Sequence, residues 1–394
     1  MENFTYNTPT LVRFGRDAES ETGDLVLQQH CKKVLIHYGG NSAVRSGLLA
    51  KVEASLTEKG IEHLSLGGVV PNPRLSKVQE GIDLCRKEGV DFILAVGGGS
   101  VIDSAKAIAL GVPYAGNVWD FYSGQETAKT CLPVGAVLTI AAAGSEMSNS
   151  SVITKEEGDL KRGYRTELCR CRFAVMNPQL TCTLPDYQTQ SGCVDILMHT
   201  MERFFGGVPT MALTDGIAVA LLQTVMKCAK ILKQEPDNYE ARAEVMWAGS
   251  LSHNGLTGCG SDGGDWSSHQ LEHELGGMFD VAHGAGLAAV WGSWARYVFP
   301  SDPQRFAAFA TQVFGIAPSG TPTETALAGI EAMEAFYRSV DMPTSIKELG
   351  VEVSEEQIQI LADKCSFQGS RTIGTFRPLN RDDMAAIYRM AKGD

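Results

Sequence analysis

Residues 92–106, FILAVGGGSVIDSAK, decide how this chain is read. FILAV is a continuous apolar run of strand length, and SVIDSAK carries on with helical apolar spacing. Gly97, Gly98 and Gly99 separate the two. Three glycines at a strand-to-helix turn let backbone N–H groups approach a diphosphate, and the helix that follows offers the positive end of its dipole. Such turns also serve as plain connectors, and this one is not the G-x-G-x-x-G fingerprint. Its position adds weight, because it follows the third strand–helix unit, at the strand ends where open sheets bind nucleotides.

Outward from that turn the alternation continues. VLIHY (34–38), HLSLGGV (63–69), PVGAVLTI (133–140), SVITK (151–155) and YRTELCRCRFAVM (164–176) read as strands. In the last of these, Cys169 and Cys171 would share one face. SAVRSGLLAKVEASLTEKG (42–60) and LSKVQEGIDLCRKEG (75–89) read as helices between strands. The pattern predicts an α/β dinucleotide-binding domain with a mostly parallel sheet. Two prolines punctuate NPQLTCTLPD (177–186), and the domain boundary is placed there, giving residues 1–184 and 185–394. Beyond it the runs are long and amphipathic: residues 212–234, 238–256, 322–340 and 354–365. The second domain is therefore expected to be helical.

A chain of 394 residues exceeds one ordinary core, which agrees with two domains. A formal net charge of −12 excludes nucleic acid or an anionic membrane as the main partner, since either would repel it. The start, MENFTYNTPT, has neither a basic stretch nor an apolar core, and no run approaches membrane-spanning length. Ten cysteines are scattered with no CxxC, so they are expected to be reduced, with the cytoplasm as compartment and no zinc–thiolate site.

Five of the eight histidines fall between Asp195 and His283. Asp195 and His199, in GCVDILMHTMERFF, are four apart and leave one helix face together, a two-point chelate. DWSSHQLEHELGGMFDVAHGAG supplies His269, His273 and His283, with Gly276 and Gly277 available to end a helix and return His283 toward His269. One carboxylate oxygen with several imidazole nitrogens suits Fe²⁺ or Zn²⁺ better than Ca²⁺ or Mg²⁺. The plainer alternative is a pair of helices that merely carry polar residues. After the first strand the chain reads Tyr38-Gly39-Gly40-Asn41-Ser42, with Arg45 one turn later and no acid until Glu53. An acid there would meet a free ribose 2′-hydroxyl. Its absence favours NADP(H) over NAD(H), unless Arg45 is simply a solvated helix residue.

Taken together with PNPRLSKVQEG (71–81), LTIAAAGSEMSNSSVI (138–153), AHGAGLA (282–288) and GTFRPLNRDDMAAIY (374–388), these stretches resemble the iron-containing (group III) alcohol dehydrogenases. Within them the likeness is to the NADPH-dependent butanol dehydrogenase and aldehyde reductase branch, nearly end to end. The resemblance implies a dehydroquinate synthase-like fold and a metal on Asp195, His199, His269 and His283, with His273 inside the site but off the metal. It assigns the diphosphate to Gly97, Gly98, Gly99 and Ser100, a nicotinamide-side role to Asp103, and cofactor-lining positions to Thr139 and Ser145. The activity implied is hydride transfer between NADP(H) and a primary alcohol or aldehyde, in a cytoplasmic homodimer, with His273 relaying the proton. The chain departs from the family at Ala143, where a hydroxyl near the cofactor is missing. His253 in SLSHNGL is expected to touch the site wall. Competing readings are a metal-dependent lyase of the dehydroquinate synthase kind and a nucleotide-binding regulatory protein without activity.

Overall fold

Strand and helix alternate through Asn7–Leu184, one of two compact units in a computed structural model that describes residues 1–208, 211–318 and 320–393. In order these are β1 Leu11–Phe14, α1 Thr22–Leu27, β2 Lys33–Tyr38, α2 Ser42–Arg45, α3 Leu48–Glu58, β3 Glu62–Leu66, α4 Leu75–Glu88, β4 Phe92–Gly97, α5 Gly99–Gly111, α6 Trp119–Tyr122, β5 Val134–Leu138, β6 Ser150–Lys155, β7 Leu160–Arg165 and β8 Phe173–Met176. Six of the strands form one sheet in the order β1-β8-β5-β4-β2-β3, every pair parallel. β4 and β5 lie inside it and are buried along their whole length, which is why they read as unbroken apolar runs and not as alternating ones. The chain leaves β2 toward β3 on one side and leaves β4 toward β5 on the other. The ends of β2 and β4 therefore flank a topological switch point, where the connecting loops diverge and leave a crevice.

One sequence expectation fails in this unit, the strand at 164–176. SVITK is a strand as read, and it stands outside the main sheet: β6 pairs antiparallel with β7 in a separate two-stranded ribbon. β7, LKRGYR, is marked in the sequence only by half-buried alternation. ELC (167–169) is a 3₁₀ turn, so Cys169 and Cys171 do not share a strand, and only FAVM continues as β8. All ten cysteines are free thiols. Burial pushes those of Cys85, Cys171 and Cys193 up to about 12, which keeps them protonated and unreactive.

His37 on β2 is fully buried between Leu66 O, 3.0 Å from Nδ1, and Ser104 Oγ on α5, 2.9 Å from Nε2. The carbonyl can only accept, so Nδ1 carries the hydrogen and Nε2 accepts from the serine. Burial drives the imidazole down to about 4, Lys77 adding to the effect and Glu80 opposing it. A folded-state value below the unfolded one means that the unfolded chain binds the proton more tightly. This contribution is complete above about pH 6.5 and is lost as pH falls toward 4, at a cost of about 3 kcal/mol. Urea unfolding from pH 7 down to 4.5 should therefore show a smaller loss of stability for His37→Gln than for the unaltered protein. Parallel curves would remove His37 as a source of the acid sensitivity.

From Pro185 onward the second unit, to which Met1–Tyr6 also belong, is built of helices. They are α7 Asp186–Phe204, α8 Ala212–Gln234, α9 Tyr239–His253, α10 Ser267–Phe279, α11 His283–Val298, α12 Pro303–Phe314, α13 Pro322–Ser339, α14 Glu355–Cys365 and α15 Arg381–Ala391. α8 is long and apolar enough to cross a membrane by length and composition. Its buried residues nevertheless follow one stripe, Thr214, Ala218, Leu221, Leu222, Val225, Met226, Cys228, Ala229 and Leu232. Asp215 at one end pairs with Arg305 and Lys233 at the other with Asp186. That is the pattern of an amphipathic core helix. α10 corrects a further expectation. It runs straight through Gly276 and Gly277 and stops at Asp280, whose φ of 53° turns the chain instead. Asp tolerates that left-handed conformation better than most side chains, so the turn needed no glycine.

Candidate metal centre and cofactor loop

α7, α10 and α11 bring one carboxylate and three imidazoles together. Asp195 and His199 sit one turn apart on α7, His269 lies in the first turn of α10, and His283 opens α11. Asp195 Oδ1 is 3.6 Å from His199 Nδ1, 3.7 Å from His269 Nε2 and 3.7 Å from His283 Nε2. Ligand atoms around one tetrahedral ion with bonds of 2.0–2.2 Å stand roughly 3.4 Å apart, so the spacing fits a shared cation. Asp195 Oδ1 and His269 Nε2 are buried and make no hydrogen bond. Polar atoms left so inside a protein normally have a partner or an ion. Burial alone would raise the Asp195 carboxyl, but His283 and His269 outweigh it and hold the group below the usual carboxylate range. Burial likewise works against a charged His269, yet Asp195 and Glu202 raise it. Such a pocket favours positive charge at its centre, and one oxygen with three nitrogens suits Fe²⁺ or Zn²⁺.

Glycines let these helices meet. A Cβ on Gly284 would lie 1.9 Å from Ser191 O, so only glycine lets α11 press its first turn against α7 beside the cluster. Around His199 and His269 a wall forms. The His253 ring lies 3.9 Å from that of His199, as expected of a residue at the site wall, and the Trp266 ring stands edge-on to His269 at 5.1 Å. Trp266 adopts φ 62°, a left-handed conformation uncommon for so bulky a residue and worth a cost only where the surroundings need it. Arg203 lies over the Trp266 ring at 4.6 Å and donates to His199 O and Ser252 O, bracing α7 to α9. His273 is 8% exposed, and its ring is 5.9 Å from that of His283. It groups with Glu272 and His283, whereas Asp195, His199 and His269 form the other set.

In the α/β unit the expected cofactor residues border the switch point. Gly39–Ser42 follow β2, and Gly97–Ser100 join β4 to α5. The glycines also sit in close packing: a Cβ on Gly97 would clash with Val101 at 2.5 Å, while on Gly98 and Gly99 it would make tight contacts of 3.0 Å with Ile140 and Ala143. The segment from Thr139 to Ala143 thus lies directly over the glycine turn, and Thr139 N donates to Gly97 O. Arg45 ends α2 and is exposed. Asp103 and Ser145 are engaged with each other: Ser145 Oγ donates to Asp103 Oδ1 at 2.5 Å, and Asp103 Oδ2 accepts from Val152 N at 3.0 Å.

Three residues outside the expected set have evident parts. Lys106 on α5 is fully buried and donates to Ser145 O, Ser148 O and Ser150 O, so one ammonium clamps the loop that covers the glycine turn. Glu202 accepts from His269 Nδ1 at 3.1 Å, and Glu272 is hydrogen-bonded to His283 Nδ1. Glu202 sits at i+7 from Asp195 and Glu272 at i+3 from His269, spacings that place each on the ligand-bearing face of its helix.

A parallel nucleotide-type sheet and a helical unit with a largely buried Asp/His₃ cluster define the class. The chain belongs to the iron-containing alcohol dehydrogenase family and is an oxidoreductase of the dehydroquinate synthase-like fold. Residues 9–178 match the family described as "Iron-containing alcohol dehydrogenase" and residues 189–392 match "Fe-containing alcohol dehydrogenase family, C-terminal". Among its relatives, the "Probable NADH-dependent butanol dehydrogenase 2" of Bacillus subtilis is 40% identical, the alignment covering 99% of each chain. The "NADPH-dependent aldehyde reductase YqhD" of Escherichia coli is 33% identical over 100% of each. The crystal structure of NADH-dependent butanol dehydrogenase A from Thermotoga maritima superposes with a TM-score of 0.96 at 37% identity, covering 100% of this chain and 99% of that one.

Proposed function

We propose that the protein transfers hydride between NADP(H) and a primary alcohol or aldehyde at a divalent metal held by Asp195, His199, His269 and His283. The convergence of three imidazole nitrogens on Asp195 Oδ1 carries this reading. A bound Fe²⁺ or Zn²⁺ supplies Lewis acidity, polarising an aldehyde carbonyl or easing loss of the proton from an alcohol. The chain's own residues do the rest. Gly97–Ser100 and the N-terminus of α5 receive the diphosphate on backbone N–H groups, while Gly39, Gly40, Asn41 and Ser42 accommodate the ribose end. Asp103 and Lys106 shape the cofactor site by fixing the segment that contains Thr139 and Ser145. His273 takes up or delivers the proton exchanged with the substrate oxygen. His253 and Trp266 cover the flanks of His199 and His269 and keep water from them.

Reconstitution separately with Fe²⁺ and Zn²⁺, followed by a screen of aldehydes with NADPH and NADH, tests the activity. No metal-dependent oxidation of either cofactor by any aldehyde would refute it. The relatives' names include both cofactors; the preference here is read from the missing acid after β2 and from the exposed Arg45. kcat/KM should be higher with NADPH, and Arg45→Ala should narrow that preference by about tenfold, as expected for one exposed charge-assisted contact. Equal losses with both cofactors would show that Arg45 does not meet the 2′-phosphate. The cytoplasm is the compartment we infer, from ten cysteines that form no disulfide. A homodimer is supported by β1, an edge strand on which Leu11 and Phe14 are each 41% exposed.

A further inference from the structure

Glu202 and Glu272 are buried carboxylates, 2% and 0% exposed, that belong to none of the ligand positions assigned above. Each addresses the far side of one imidazole. Glu202 Oε1, on α7, lies 3.1 Å from His269 Nδ1, while His269 Nε2 points to Asp195. Glu272, on α10, bonds His283 Nδ1, and His283 Nε2 again points to Asp195. A carboxylate can only accept, so Nδ1 must carry the hydrogen in both rings and Nε2 presents its lone pair inward.

The packing around both glutamates serves this arrangement. Trp266, the residue that begins α10, makes no side-chain cap; Glu202 Oε1 takes its place by accepting also from His269 N at 3.0 Å. One oxygen thus satisfies an open N–H of the helix end and orients the ring of the same residue. Next to it, burial and then the Glu202 charge push the Asp265 carboxyl up to about 7. Beneath His283, α11 has Gly286, where a Cβ would come within 2.9 Å of Glu272 Cγ. That glycine is the space through which Glu272 reaches the ring. The three helices are cross-braced in sequence, α7 holding a ring of α10 and α10 holding a ring of α11.

We propose that Glu202 and Glu272 are the positioning residues of the metal centre, each fixing the tautomer and direction of one ligand imidazole so that its Nε2 binds the ion; this rests on the ligand set proposed above. Together with Asp195 they surround a dication with three carboxylates. Two consequences follow: the nitrogens become better donors, and the ion is held more tightly than four ligands alone would hold it.

The test is metal affinity, measured by chelator competition on protein stripped and reloaded with Zn²⁺, with the ligand-field spectrum of Co²⁺-loaded protein as second readout. Glu202→Gln and Glu272→Gln keep the shape and remove the charge. Each should weaken binding by about 10–100-fold and alter the Co²⁺ spectrum. A role confined to capping α10 would lower thermal stability and leave both readouts unchanged. Should either variant fail to fold, Gly286→Ala keeps every ligand and both glutamates, yet must displace Glu272; it should weaken binding by about tenfold. Affinities and spectra indistinguishable from the unaltered protein in these variants would overturn the proposal. The ligand set is checked separately: if the unaltered protein binds no stoichiometric ion, or Asp195→Asn binds one equally well, the metal reading itself fails.

Discussion

Asp195→Asn should lose the divalent ion and with it all measurable turnover. This carboxylate is 3% exposed and is the one atom group on which His199, His269 and His283 all converge. An amide of equal size keeps the packing, but it removes the negative charge that offsets the cation and presents an NH₂ group to imidazole nitrogens. Removing one partner from a buried set of charges costs roughly 3–5 kcal/mol, or about 10²–10⁴-fold in binding. In the unaltered protein, chelation should abolish activity and added Fe²⁺ or Zn²⁺ should restore it; in Asp195→Asn the same addition should restore nothing. The helices should remain folded, so circular dichroism separates loss of metal from loss of structure. A variant that keeps a full equivalent of metal and near-normal kcat would show that the ion is bound elsewhere.

His273→Gln should behave differently. The residue is one turn beyond His269 on α10, so it faces the same side, but its ring neighbours His283 and it stands apart from the set around Asp195 and His269. On the proposed reading it exchanges a proton; the alternative, that it joins Glu272 and His283 in holding an ion, is what this variant separates. The variant should therefore retain metal and cofactor while kcat falls by about 10²–10⁴-fold, the scale of general acid–base catalysis. KM should change little, because the lost interaction is made only in the transition state. If the metal is lost together with activity, His273 is a ligand. If kcat is near normal, it relays no proton.

Much of this architecture is visible in local pattern. β2, β4 and β5 show themselves as apolar runs because a central parallel strand is covered on both faces. Asp195 and His199 declare their shared face by a spacing of four. β6 and β7 are less legible: a two-stranded ribbon buries only part of each strand, and its partner choice lies outside either sequence. At Gly276 and Gly277 the local rule misleads, since a helix packed on both sides tolerates glycines that would end an isolated one.

The glutamates mark the boundary between what is local and what is not. Glu202 and Glu272 sit at i+7 from Asp195 and i+3 from His269, a signal too common among surface helices to single them out. Lys106 looks like any lysine near the end of a helix turn, yet it is fully buried with its ammonium on three carbonyls. By itself the sequence determined the alternation of strand and helix, the glycine turn after β4 and the residue types of the Asp/His cluster, because each rests on periodicity or composition within one or two turns of chain. Only the tertiary structure decided which imidazole nitrogen points inward, which carboxylates stand behind the rings, and that Asp103 is turned to Ser145. Those outcomes depend on hydrogen bonds between segments far apart in sequence, made where burial leaves a polar atom no water to fall back on.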